Sequence, residues 1–97
     1  MTPELQKRIN KACEDAVKKW GSESQFRMVQ EECAELIAAI SQWVRGRVYR
    51  DAIAEEVADV IIVLTQARHM IGERAVDAFL LQKIERLEQR IEENEKK

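Results

Sequence analysis

Apolar residues recur at intervals of three and four along nearly the whole chain, the spacing of amphipathic helices rather than of strands. Leu5, Ile9, Cys13, Ala16, Val17 and Trp20 form the first stripe. Thr2 before Pro3 reads as an N-cap followed by proline at the first helical position, and Gly21 stops the helix. Ser22-Glu23-Ser24-Gln25 has the capping-box pattern that opens a second helix. Its expected buried stripe is Phe26, Val29, Cys33, Leu36, Ile37, Ile40, Trp43 and Val44, and it is expected to end near Arg45-Gly46 with Gly46 as a left-handed cap. Arg47 to Arg50 form a short connector, and Asp51 is the expected N-cap of a third helix running to about Ile71. Ile53, Val57, Val60, Ile61, Leu64 and Ala67 are expected to face inward on it. Gly72 separates this from a last helix, where Val76, Leu80, Ile84, Leu87 and Ile91 repeat at four, four, three and four, close to a heptad seam. The polar residues 92–97 are expected to fray. The pattern predicts an all-α fold: a four-helix bundle with short connections and roughly antiparallel neighbours.

Composition narrows the setting. Ninety-seven residues make a single domain spanning 1–97, with a core so modest that self-association would enlarge it usefully. A net charge of −2, from 16 basic and 18 acidic residues, argues against a nucleic-acid polymer or a membrane surface as partner. The apolar run from Val60 to Leu64 is too short to span a bilayer, and Met1-Thr2-Pro3-Glu4 does not open a signal peptide. Cys13 and Cys33 lie in no CxxC, so both are expected to be reduced thiols of a cytoplasmic protein.

Two doublets of acid carry the candidate chemistry. Glu32 with Glu35 and Glu56 with Asp59 are each three residues apart, so each pair shares a helix face. Both pairs are embedded in apolar sequence. Taken alone, a glutamate-rich run is an ordinary solvated face. The second doublet, on the next helix beyond a chain reversal, changes this, because antiparallel packing can bring the pairs face to face. Four carboxylates at a core edge would repel and be partly desolvated unless a cation neutralised them. An all-oxygen set suits a hard ion such as Mg²⁺, or Mn²⁺ in its place. A di-iron bundle would instead want Glu-x-x-His, and the sole histidine, His69, has Gln66 three residues before it.

Glu31-Glu32-x-x-Glu35 followed by Glu56-x-x-Asp59 resembles the EExxE…ExxD signature of the MazG-like, all-α nucleoside triphosphate pyrophosphohydrolases. The words EECAELIAAIS and EEVADVIIVL are also similar to the compact, often phage-encoded members, and the likeness spans about residues 20–91. The resemblance implies a helical domain that assembles as a homodimer or homotetramer. It further implies Mg²⁺-dependent hydrolysis of a (deoxy)nucleoside triphosphate to monophosphate and pyrophosphate. Glu32, Glu35, Glu56 and Asp59 would then be the metal ligands. Glu31, one residue off that face, would bind a second metal or orient the attacking water, and Glu55 would be a solvated helix residue.

A triphosphate also needs cations. Lys83, Arg86 and Arg90 fall on one stripe of the last helix; they either reach the phosphates or pair with Glu85, Glu88 and Glu92 on the surface. Lys83 is favoured because the family often carries a basic residue there. Arg45, Arg47 and Arg50 are alternatives that read equally as a solvated loop. Trp20, Phe26 and Trp43 either stack on a base or belong to the core, and Gln25 either reads a base edge or completes the capping box. Two rival functions remain beside the enzyme: a noncatalytic helical interaction module and a nucleotide sensor. The second doublet inside VIIVL weighs against the former, since an interaction surface has no use for Asp59 there.

Overall fold

A computed structural model describes residues 1–95 and consists of four helices, with no strand among them. The helices are α1 (Pro3–Trp20), α2 (Ser22–Val44), α3 (Arg50–Ile71) and α4 (Glu73–Glu95). None is long and apolar enough to cross a membrane.

Local chemistry accounts for most boundaries. Thr2 Oγ1 accepts the Leu5 amide at 3.1 Å, with Pro3 opening α1, and Gly21 at φ 87° closes it. The α2 terminus is a Schellman turn: the Arg47 amide donates to Gln42 O, the Gly46 amide donates to Trp43 O, and Gly46 sits at φ 73°. That glycine makes the reversal from α2 into α3 sharp. Two expectations are corrected. No capping box forms at Ser22–Gln25: α2 follows Gly21 without any side-chain cap, and Gln25 turns inward instead. Asp51 is likewise not a cap. Tyr49 holds the N-cap position of α3 without a side-chain bond, and Asp51 lies in the first helical turn, where its charge suits the helix dipole.

The packing is more open than a closed bundle. α1, α2 and α3 pack on one another, and the buried Cys13 thiol of α1 donates to Ile62 O of α3 at 3.3 Å. α4 packs on α3 alone. The radius of gyration is 16.3 Å, against roughly 12–13 Å for a compact chain of this length. Among the described residues only Cys13, Val60 and Val63 are apolar and buried.

The inward faces are rotated from those expected. On α3 the buried stripe is Val60, Val63 and Gln66, whereas Val57, Ile61 and Leu64 are substantially exposed. On α2, Ile37 is 70% and Val44 76% exposed, and Trp43 is half exposed, while Gln25 is buried and Glu32 half-buried. The cause is shared: each helix spends part of its inward face on polar residues, so the most apolar stripe is not the buried one. α4 is helical to Glu95; residues 96 and 97 of the tail expected to fray lie outside the described residues.

Candidate metal centre

α2 and α3 bring the acidic doublets together across their interface. One carboxylate oxygen from each of Glu32, Glu35 and Glu56 lies within 4.8 Å of the other two. Asp59 stands beside this trio rather than within it. It lines a recess of about 200 Å³ with Glu32, and its charge acts on both Glu32 and Glu56.

The electrostatics are those of a site lacking its counter-charge. Burial first, then the charges of Glu35, Asp59 and Glu56, push the Glu32 carboxyl above the ordinary glutamate range, and a hydrogen bond to Glu35 adds to this. Glu56 is raised by burial first, then by Glu35, Asp59 and Glu55. Oε2 of Glu32 and Oε2 of Glu56 are both buried without a hydrogen-bond partner. Buried carboxylate oxygens are normally satisfied by donors or by a cation. No lysine or arginine forms an ion pair with any of the four acids among the described residues. Three clustered carboxylates, two of which carry an unpartnered buried oxygen, fit a small divalent cation. Two rigid helices could hold it, with no loop involved.

The recess behind Glu32 has apolar walls from Met28, Ile62 and Val63 and two carboxamides, Gln25 and Gln66. Both glutamines are 5% exposed, and Gln66 Oε1 has no partner. Gln66 escapes a reading of sequence, because one glutamine in an apolar helix carries no motif. The only available signal is its place on one α3 face, three and seven residues beyond Val63 and Asp59.

The other candidates fall elsewhere. Glu31 and Glu55 are exposed and outside the trio, although Glu55 contributes to the field on Glu56. Trp20 is exposed at the end of α1 under the Lys19 ammonium, 5.5 Å from its ring centre, and does not line the recess; nor do Phe26 and Trp43. Lys83, Arg86 and Arg90 are exposed on α4, which touches only α3, and no ion pair joins them to another described residue. Arg45, Arg47 and Arg50 are exposed around the α2–α3 connection. His69 is part-exposed near the end of α3, 3.9 Å from Glu73. No protein-family model, curated protein or solved structure matches the chain.

Proposed function

We propose that this chain is a MazG-like nucleoside triphosphate pyrophosphohydrolase, cleaving (deoxy)nucleoside triphosphates to the monophosphate and pyrophosphate in cytoplasmic nucleotide-pool housecleaning. The observation that carries this reading is the convergence of Glu32, Glu35 and Glu56 from two helices, with two buried carboxylate oxygens lacking partners. Glu32, Glu35 and Glu56 would hold Mg²⁺, or Mn²⁺ in its place, and Asp59 completes the acidic rim. Such an ion supplies positive charge against the polyphosphate, polarises a phosphoryl oxygen and acidifies water.

The chain's own residues set the conditions for that chemistry. The four acids repel a bare triphosphate, so substrate enters only where a cation has balanced them. Mounting them on helices fixes their positions before substrate arrives, and positioning together with charge stabilisation is most of what phosphoryl transfer needs. Burial and the neighbouring carboxylates raise the Glu32 carboxyl, so binding of a cation there would favour its ionised form. No side-chain nucleophile is required: the Cys13 thiol is raised by burial and committed to Ile62 O. Gln25 and Gln66 read the nucleoside. Each carboxamide offers a donor and an acceptor to a base edge or sugar hydroxyl, and the apolar wall excludes water beside it. Phosphate-facing cations come from a second copy in a homodimer or homotetramer, since no described lysine or arginine pairs with the acidic site.

The test is incubation with each common NTP and dNTP plus Mg²⁺, resolving products by chromatography. Pyrophosphate and monophosphate are expected with at least one of them. Release of inorganic phosphate and diphosphate instead, or no turnover of any, would overturn the reading.

A further inference from the structure

We infer, resting on the proposed nucleotide reading, that the recess beside the acidic trio selects the amino bases cytosine and adenine over the keto bases uracil, thymine, guanine and hypoxanthine.

The polar lining of the recess is heavily weighted toward acceptors. Gln25, Glu32, Asp59 and Gln66 are its polar residues. All four offer oxygen acceptors, and only the two carboxamides offer N–H donors. No lysine, arginine, histidine, tryptophan or hydroxyl side chain lines it. Glu32 belongs to the trio that would hold a cation, whereas Asp59 stands outside it. The Asp59 carboxylate therefore stays available to a ligand when a cation is bound.

The glutamines are placed for a ligand rather than for packing. Each is 5% exposed, and neither side chain makes a hydrogen bond within the described protein. Gln66 Oε1 is buried outright without a partner. Buried amides are normally satisfied, so an unpaired acceptor in a recess wall calls for a ligand that donates to it. Asp59 and Gln66 lie two turns apart on one face of α3, and Gln25 approaches from α2. The acceptors thus border one small space from two helices.

Size and position select the part of the nucleotide that enters. About 200 Å³ is below the roughly 300–1,000 Å³ of ordinary ligand pockets. The space suits a base, with sugar and phosphates left outside. Glu32 belongs both to the recess and to the trio, so a base seated here leaves its phosphates beside the cation site. Met28, Ile62 and Val63 supply apolar surface for the ring faces. An exocyclic amino group carries two hydrogens and serves two acceptors at once, while the ring nitrogen next to it accepts from a carboxamide N–H. A keto base sets an oxygen in the place of that amino group. The oxygen then faces a carboxylate and amide oxygens, and the base returns only one N–H.

Two closely matched pairs test this, CTP against UTP and ATP against ITP, each in ribo and deoxy forms. Ring size, sugar and phosphates are constant within a pair. With Mg²⁺, kcat/KM is expected to favour the amino member roughly ten- to hundredfold. Calorimetric titration with CMP and with UMP reads the same selection without turnover, and CMP is expected to bind more tightly. Gln66→Met and, separately, Gln25→Met are expected to shrink the preference by weakening the amino member, with circular dichroism as the check on folding. Equal or reversed preference, turnover confined to keto nucleotides, or a preference unmoved by both substitutions would overturn the inference and leave the proposed activity standing. Tighter binding of CMP without hydrolysis of any triphosphate would overturn the activity and leave the selection standing. Binding of neither monophosphate would overturn the selection.

Discussion

Gln66 offers a test in which stability and activity should move in opposite directions. It is 5% exposed, and its Oε1 has no hydrogen-bond partner. A buried acceptor left unsatisfied costs about 1–3 kcal/mol. Gln66→Met keeps the unbranched shape and nearly the volume while removing both polar atoms, and such swaps cost under about 1.5 kcal/mol in repacking. The balance favours the variant by about 1 kcal/mol. In a chain of this size that raises the melting temperature by roughly 4–8 °C. The assay is thermal unfolding followed by circular dichroism in excess chelator, so that metal linkage does not enter.

The same change should harm function. If the Gln66 carboxamide reads the nucleoside, its loss removes a contact to substrate and leaves the ligand's own polar edge facing methionine. Hydrogen-bonded base recognition is worth about 1–3 kcal/mol per bidentate contact, so kcat/KM on the best nucleotide should fall roughly ten- to hundredfold. Mg²⁺ affinity should be unaltered, because Gln66 is not among the clustered carboxylates. A Gln66→Met protein destabilised by more than about 1 kcal/mol would refute the reasoning, since the amide would then be making a structural bond. A more stable variant with unchanged kinetics would remove Gln66 from substrate recognition and leave only the packing argument.

Glu35→Gln and Asp59→Asn delete a charge while keeping shape, and each should abolish turnover in a protein that remains helical; wild-type rates in both would reduce the acids to surface decoration. Excess chelator should abolish turnover, and Mg²⁺ should restore it and raise the melting temperature, by about 2.7 kcal/mol of stability at a hundred times Kd; full activity in chelator would remove the metal. The pH dependence of the cation-free protein has a defined sign. Glu32 and Glu56 are raised above the ordinary 4.5 in the folded state, so their contribution is present below that value and is lost as pH rises through the raised ones. Asp77, lowered by its bond to Arg68, works oppositely and only below its ordinary 3.8. Melting in chelator should therefore decline upward from pH 4.5 more steeply for wild type than for Glu32→Gln with Glu56→Gln; equal slopes would contradict the assignment.

How much the sequence discloses depends on whether a feature is local. Thr2-Pro3, Gly21, Gly46 and Gly72 punctuate the chain by backbone preference alone, and six of the eight helix termini fall within two residues of them. The acidic doublets are legible because a three-residue spacing fixes a shared face and the α2–α3 reversal is short. What failed was rotation. Reading the most apolar stripe as the inward one put Ile37, Val44 and Leu64 inside and left Gln25 and Gln66 out. The inward face carries Gln25, Glu32, Glu56, Asp59 and Gln66, and such a face does not announce itself by hydrophobicity. The capping-box reading of Gln25 failed for a related reason. A side chain with two good local roles is decided by the neighbouring helix, and α3 offers a recess.

These residues also show what a single copy lacks. With three buried apolar residues among those described, the α1–α2–α3 body has little burial to set against three clustered carboxylates, Asp59 beside them and two buried amides. Proteins tolerate such local conflict where a ligand relieves it. A cation between Glu32, Glu35 and Glu56 would turn mutual repulsion into a cross-link between α2 and α3, at the interface that most needs it. The acids and glutamines lie on the α2 side of α3, while Ile61, Leu64 and Ile71 line the groove toward α4.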